Sequence, residues 1–137
     1  MVILYEVHNN LYVNMTNRCP CACTFCLRQD RDEMNRSGSL WLEREPAERM
    51  EDLLRVAAYA KEHFHIAVRV NTNGLSDLIY DKDTAPMFEG LVDTVSISLN
   101  TPDSEKYLKL TRNRFGIQSH AALLRFAGNV SKDKKLF

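Results

Sequence analysis

Cysteine is concentrated in one short segment of this chain. The run Cys19-Pro20-Cys21-Ala22-Cys23-Thr24-Phe25-Cys26 follows a β-rich apolar stretch, and it contains all four cysteines of the sequence. A disulfide framework would space its cysteines along the chain, whereas a tight cluster is typical of a metal-binding loop. Any fold for this chain must therefore present several thiols on one loop that directly follows a strand.

The spacing Cys19-x3-Cys23-x2-Cys26 provides three thiolates for one ligand. A cubane iron–sulfur cluster usually has four cysteine ligands, so three would leave one iron open for a substrate or cofactor. Zinc is an alternative, but zinc sites usually pair two-cysteine knuckles that lie far apart in sequence. Reduced surface thiols and Cys-x-x-Cys redox chemistry at Cys23 and Cys26 also stay open. The spacing favours the cluster, with Cys21 as a bystander.

Local patterns predict an alternation of helices and strands after the cysteine loop. Residues 2–7 and 11–15 are β-rich runs around an Asn-containing turn, which predicts an N-terminal β-hairpin. The order of the later elements predicts βαβ units, a largely parallel sheet and one α/β domain over residues 1–137. The expected later elements are a surface loop or short exposed helix 27–38, helix 46–64, strand 66–70, turn 71–74, a short helix 84–90, strand 92–99, helix 103–111 and helix 117–130. The apolar face of helix 46–64 is expected to carry Met50, Leu53, Leu54, Ala57, Ala60 and Phe64. The apolar face of helix 117–130 is expected to carry Ile117, Ala121, Leu124 and Val130.

Polar residues follow the two central predicted strands. Thr72 and Asn73 come directly after a β-rich run, and the carboxyl ends of parallel strands are where α/β proteins bind ligands. A simple strand-ending turn is the alternative. Period two places Ser96, Ser98 and Asn100 on one strand face. That face would meet a polar ligand inside a barrel, or it would lie in water on an edge strand.

Composition and charge exclude several classes of partner. The 137 residues are 45% hydrophobic and 26% charged, and the formal net charge is zero. No overall field therefore attracts nucleic acid or an anionic membrane. The apolar runs are far shorter than the ~20 residues of a membrane span, and the N-terminus lacks the features of a secretory signal. We expect a cytoplasmic protein with no nucleic-acid or membrane partner.

The motifs together resemble those of radical S-adenosylmethionine (SAM) enzymes. The superfamily resemblance rests on Cys19-x3-Cys23-x2-Cys26 with Phe25 before its last cysteine, on the Asn-Thr-Asn-Gly of residues 71–74, and on the Ser-Ile-Ser-Leu-Asn of residues 96–100. Within that superfamily, the chain is similar to the TatD-associated radical SAM subfamily over three segments, which are residues 11–19, 39–46 and 94–100.

The resemblance implies a [4Fe-4S] cluster held by Cys19, Cys23 and Cys26, with SAM chelated at the open iron. Reductive cleavage of SAM would give methionine and a 5′-deoxyadenosyl radical that takes hydrogen from an unidentified substrate. The protein would supply orientation and exclusion of water. An electron donor such as a flavodoxin or ferredoxin is implied as a partner. The residues expected to contact SAM are Phe25, Glu45, Thr72, Asn73, Ser98 and Asn100.

The chain also departs from that family. The family's barrel has more parallel strands than the two predicted here after the cysteine loop. Its Gly-Glu-Pro segment, which binds the SAM amino group, is represented only by Arg44-Glu45-Pro46. We therefore expect an incomplete (βα) barrel, shortened by an internal deletion of one αβ segment and by a C-terminus that stops before the last strands. The alternative function is a catalytically incompetent cluster- or zinc-binding remnant that acts as an interaction module. Unpaired sheet edges favour self-association.

Overall fold

The structure is a computed structural model in which residues 4–15, 19–26, 49–131 and 135–136 are described. The predictions for residues 27–48 lie outside the described residues, and so does the helix start predicted at Pro46. In the described ranges, no helix combines the length and the hydrophobicity that crossing a membrane requires.

An antiparallel hairpin forms the N-terminal part of the chain. Strand β1 (Leu4–Val7) pairs with strand β2 (Asn10–Val13) through a turn of two residues. These residues, His8 and Asn9, have φ values of 48° and 64°. Positive φ at both turn positions matches the right-handed twist of the two strands. The predicted hairpin is confirmed in the described residues, and its second strand runs from Asn10 to Val13 where residues 11–15 were predicted.

Helices and strands alternate after the cysteine loop, as predicted. Two of the observed elements, α2 and β5, were not predicted. In chain order the elements are α1 (Arg49–Phe64), β3 (Arg69–Thr72), α2 (Ser76–Tyr80), a 3-10 helix (Ala85–Phe88), β4 (Thr94–Ile97), α3 (Ser104–Thr111), α4 (Gln118–Ser131) and β5 (Lys135–Leu136).

The three later strands form a parallel sheet in the order β3-β4-β5. Thr72 lies opposite Ile97 at the carboxyl end of the β3–β4 pair, and Val95 lies opposite Leu136 in the β4–β5 pair. The predicted combination of an N-terminal hairpin with a parallel sheet is therefore confirmed. The described strands form an open sheet and do not close into a barrel. Strand β5 adds a third parallel strand to the two that were predicted.

Strand β3 begins three residues later than predicted because Asp93 occupies the hydrogen-bonding groups of Val68. The Asp93 carboxylate accepts from Val68 N at 2.7 Å, and Asp93 N donates to Val68 O at 2.9 Å. Lys61, near the end of α1, adds an ion pair to the same carboxylate at 2.7 Å. These contacts close the amino end of the sheet, so that the ladder begins at Arg69.

The carboxyl ends of the strands also differ from prediction. Asn71 and Thr72 belong to β3 and not to the predicted turn, which falls on the residues that follow them. Strand β4 ends at Ile97, so Ser98 and Asn100 lie in the loop beyond it. The expected strand face of Ser96, Ser98 and Asn100 is therefore wrong, because period two applies only within the strand.

Helix α1 packs on the larger of two apolar clusters, which contains Phe88, Val95 and Phe126. The rings of Phe88 and Phe126 meet edge to face, with centroids 6.1 Å apart. From α1, the side chains of Met50, Leu53 and Leu54 contact this cluster and Ala57 is buried, as predicted. Phe64 ends the helix and is 62% exposed, so its predicted burial is wrong.

The apolar face predicted for α4 is wrong except at Val130. Ile117 and Leu124 are about half exposed. The buried side chains of the helix are Ser119, His120, Ala122, Leu123, Phe126 and Val130. Both faces carry apolar residues at helical spacing, and the face with Leu123 and Phe126 fills more core volume. Packing against the sheet therefore decided between two patterns that periodicity alone could not separate.

Gly74 joins the carboxyl end of β3 to the smaller apolar cluster, whose buried members are Leu75, Tyr107 and Leu123. Its φ is 75°, a left-handed value that favours glycine. A Cβ atom on Gly74 would lie 2.9 Å from Ile97 Cγ2 and 3.0 Å from Leu123 Cγ. The backbone at this position can therefore approach β4 and α4 only without a side chain.

Replacing Gly74 with alanine should lower the free energy of unfolding by about 2–5 kcal/mol, since backbone strain and overpacking add. Gly90→Ala is a matched control, because Gly90 has a φ of 71° and no atom within 4 Å of an added Cβ. This control should lose only the strain, about 1–2 kcal/mol. Urea denaturation followed by circular dichroism measures both losses. Equal losses would contradict the close approach at Gly74.

Candidate functional site

The cysteine loop, residues 19–26, is held by backbone hydrogen bonds to the end of α3. Ala22 N donates to Thr111 O at 2.8 Å, and Thr24 N donates to Leu110 O at 3.0 Å. The last carbonyl groups of an α-helix have no partner within the helix. The loop therefore satisfies these helix carbonyls, and the helix end fixes the backbone between the cysteines.

Sequence determines where this helix begins and ends. Asp103 caps α3, and its carboxylate accepts from Lys106 N at 2.7 Å. Arg112 follows the helix with a φ of 47°, and its N–H donates to Leu108 O at 2.8 Å. An N-terminal Asp cap and a left-handed residue after the last turn are common terminators of an α-helix. Because the helix ends at this point, the carbonyl groups of its last residues lie next to the cysteine loop and accept its N–H groups.

Asn113 organises the backbone immediately after α3. Its buried side chain donates from Nδ2 to Thr111 Oγ1 at 2.9 Å and to Ser119 Oγ at 2.8 Å. The next residue, Arg114, donates its N–H to Pro20 O at 3.0 Å. The Asn113 network thus positions a third backbone contact to the cysteine loop.

The thiols of the cysteine loop lie close enough to one another to change the pKa values of Cys21 and Cys23. Cys19 is exposed, the other three are half-buried, and none forms a disulfide. The hydrogen bond with Cys19 is the main cause that raises the pKa of Cys21, and burial adds to it. Burial is the main cause that raises the pKa of Cys23, with Cys19 and Cys26 as neighbouring charges. Because metals bind thiolates, positive charge from a bound metal would have to release these protons.

Cys21 differs from its neighbours because it packs on the smaller apolar cluster. Below it, the Tyr107 side chain is buried and meets His120 edge to face, with ring centroids 5.3 Å apart. Burial, followed by the nearby charges of Cys21, Cys23 and Cys19, raises the pKa of Tyr107 to about 12. The loop therefore packs on a buried apolar cluster in which the charged form of this phenol is disfavoured.

Asn73 connects the parallel sheet to the cysteine loop. Its Nδ2 donates to Cys19 Sγ at 3.6 Å, and its Oδ1 accepts from Leu75 N at 3.0 Å. Asn73 follows directly after β3, so this contact brings the carboxyl edge of the sheet to the first cysteine. Two features that lie far apart in the sequence, and that were singled out independently, meet in the folded chain.

The other residues predicted to bind SAM have different surroundings. Ser98 N donates to Thr72 O at 3.0 Å, so these two residues are adjacent across the ends of β3 and β4. Asn100 has a φ of 65°, and its Nδ2 donates to Ser98 O at 3.2 Å. The Phe25 side chain is 55% exposed on the cysteine loop. Glu45 lies outside the described residues.

The donor atoms of the cysteine loop are thiols, the type of ligand that iron–sulfur clusters use. In the described part of the chain, no group of three or more His, Cys, Asp or Glu side chains is placed so that it could hold a metal ion. Zinc would need its sulfur ligands about 2.3 Å from a single point, whereas a cubane binds each thiolate at a different iron. The fit therefore rests on chemistry: three thiols, one exposed and two half-buried, lie on a loop whose backbone is bonded to α3 and whose first cysteine contacts Asn73 at the carboxyl edge of the parallel sheet.

A shallow depression of about 300 Å³ lies at the opposite edge of the sheet. It is lined by residues of the amino end, including His65 and the Lys61–Asp93 ion pair. None of the predicted site residues contributes to it.

Sequence reasoning missed the residues that support the loop, namely Tyr107, Asn113 and His120. Asn113 carries a usable signal, because asparagine just after a predicted helix favours local hydrogen bonds to the backbone. Tyr107 and His120 meet between two helices, and no short-range pattern in the sequence reports such a contact.

Comparison with known proteins gives one partial match. No protein-family model matches the chain, and no solved structure matches it significantly. The chain is 31% identical over 136 residues to GTP 3′,8-cyclase of Corynebacterium glutamicum, a radical SAM enzyme. The match covers 78% of this chain and 35% of the relative, so the chain spans about a third of that protein's length. The similarity supports the radical SAM superfamily and gives no support to the TatD-associated subfamily.

Asn113→Ala should lower the free energy of unfolding by about 2–3 kcal/mol, because it leaves buried hydroxyl groups without their hydrogen-bond donor. Asn129→Ala is the control, since its side chain makes an exposed hydrogen bond to Asp83 at 3.2 Å. The control should change stability by less than about 0.5 kcal/mol. Urea unfolding curves give both values, and similar small losses would show that the Asn113 network does not support the loop.

Proposed function

We propose that this chain is a radical SAM protein that binds a [4Fe-4S] cluster through Cys19, Cys23 and Cys26 and binds SAM at the open iron. The observation that carries the proposal is the contact between Asn73 and Cys19 at 3.6 Å. It supports a site in which the cysteine loop faces the carboxyl edge of a parallel sheet, where α/β proteins bind their ligands. The partial match to a radical SAM enzyme supports the same reading.

When bound, the cluster would supply the electron for reductive cleavage of SAM, the chemistry that the family resemblance implies. The chain's own residues would bind the cluster and orient SAM. The three thiolates would hold the cluster, and the polar groups of Thr72, Asn73 and Ser98 would line the space above the strand ends. Asn100 and Phe25, on the two loops that border this space, are proposed to contact SAM from the sides.

The apolar floor beneath the loop would exclude water from one side of the site. The smaller cluster of Leu75, Tyr107 and Leu123 is buried, and Cys21 packs on it. This environment supports a packing role for Cys21. The remaining three cysteines, whose spacing is Cys-x3-Cys-x2-Cys, would then be the ligands.

An incomplete barrel is the architecture that we propose for this chain. The alignment with the relative is 136 positions long but covers only 78% of this chain of 137 residues. The relative therefore has positions with no counterpart here, which supports an internal deletion. Glu45 is proposed to replace the Gly-Glu-Pro segment at the SAM amino group. The TatD-associated subfamily rests on the sequence motifs alone, and a flavodoxin or ferredoxin is the proposed electron donor.

Anaerobic reconstitution with iron and sulfide, followed by EPR of the reduced protein, tests the proposal. We expect a [4Fe-4S]⁺ signal that shifts when SAM is added, because SAM would chelate the open iron. A cluster signal that ignores SAM would instead indicate a cluster-binding remnant. Binding of zinc without any cluster would overturn the proposal.

Removal of single thiols tests the ligand assignment. Cys23→Ala should abolish cluster assembly, since two thiolates would remain for a site that needs three. Cys21→Ala should retain the iron and sulfide of the wild-type protein, because that side chain packs on the smaller apolar cluster. Iron and acid-labile sulfide are measured per chain after reconstitution. Equal losses in the two variants would contradict the assignment.

A further inference from the structure

The side chain of Asn73 has a fixed orientation. Its Oδ1 accepts from Leu75 N at 3.0 Å, and Leu75 is fully buried. A backbone N–H can bond only to the oxygen of the amide, so the hydrogen-bond network determines which end of the amide is which. The Nδ2 group must then point away from Leu75, and it lies 3.6 Å from Cys19 Sγ.

The backbone around Asn73 allows little adjustment. Gly74 N donates to Thr72 Oγ1 at 3.0 Å, which closes a second small ring in the same turn. Gly74 itself is pressed against Ile97 and Leu123, with no room for a Cβ atom. The N–H donor therefore reaches Cys19 from a turn that hydrogen bonds and close packing hold in place, whereas Cys19 itself is exposed.

A donor of this kind has a defined effect on a sulfur ligand. Hydrogen bonds to the sulfur atoms of an iron–sulfur cluster, together with net charge and exposure, set its reduction potential. Reduction adds negative charge to the cluster and its thiolates. An N–H dipole directed at the sulfur stabilises the reduced state more than the oxidised state, and so raises the potential.

We propose that Asn73 is a positioning residue that holds Cys19 and raises the reduction potential of the cluster by donating its amide N–H to Cys19 Sγ. This inference rests on the proposed function, because it requires a cluster on the three cysteines. It goes beyond a contact with SAM, since the donor acts on the thiolate ligand even when SAM is absent.

Two variants separate the effect of the hydrogen bond to Cys19 from the role of the Asn73 side chain in the turn. Asn73→Asp keeps an oxygen that accepts from Leu75 N, but it removes the donor to Cys19. Asn73→Ser keeps an acceptor in the turn without added charge, and its side chain is too short to reach the sulfur. Asn71→Asp is the matched control, because it makes the same change on β3 at a side chain whose oxygen accepts from Arg69 Nε at 3.0 Å.

The experiment is an EPR-monitored redox titration of the reconstituted full chain without SAM, combined with iron and sulfide analysis. At a fixed potential, Asn73→Asp should reduce the ratio of reduced to oxidised cluster about tenfold, which corresponds to a fall of about 59 mV for one electron. Asn73→Ser should shift the potential in the same direction by a smaller amount. Asn71→Asp should stay close to wild type.

The outcomes distinguish the two claims. A wild-type chain that assembles no cluster would overturn both the proposed function and the role of Asn73. A wild-type cluster whose potential is unchanged in Asn73→Ser would overturn the role of Asn73 alone. The same conclusion would follow if Asn71→Asp and Asn73→Asp lowered the potential equally, since the effect would then be one of charge.

Discussion

The candidate site depends on the backbone hydrogen bonds between the cysteine loop and the end of α3. Ala22 and Thr24 donate to carbonyls that the helix itself leaves unpaired. These bonds use only main-chain groups, so they do not depend on whether the thiols are protonated or bound to metal. The packing of α3, which contacts α4, therefore determines where the cysteines lie. A loop of eight residues with four thiols would otherwise have no local reason to adopt one conformation.

The carboxyl edge of the sheet supplies the second half of the site. The turn after β3 is shaped by Thr72 and Asn73, whose side chains accept hydrogen bonds from the next backbone N–H groups. Gly74 lets this turn lie against Ile97 and Leu123, and Leu123 belongs to the cluster on which Cys21 packs. Core packing and site geometry are therefore coupled at Gly74 and Leu123, so that a change in the core there would also move the residues of the site.

Burial and mutual proximity favour the neutral form of the thiols of Cys21 and Cys23 over the thiolate form. Mutual proximity and burial raise the pKa of Cys21 and Cys23, and the buried Tyr107 phenol beneath them has a pKa of about 12. Several thiolates in such a space repel one another unless positive charge accompanies them. An iron–sulfur cluster would supply that charge, and the N–H group of Asn73 adds a fixed dipole at Cys19.

Local sequence patterns determined the elements of this fold. Interactions between near neighbours form the Asn-containing hairpin turn and the helix that Asp103 caps. The spacing of the three cysteines is likewise a local feature of the sequence. Thr72 and Asn73 were predicted as site residues because they follow a β-rich run, and the structure places Thr72 at the last position of β3 and Asn73 directly after it.

Tertiary structure decided what local patterns left open. It selected the face of α4 that carries Leu123 and Phe126, and it paired β5 with β4 although the tail shows no strand pattern. It also joined Asn73 to Cys19 across 54 positions of the chain. Such contacts depend on how the helices and strands pack. Local sequence patterns do not report which residues far apart in the chain come together.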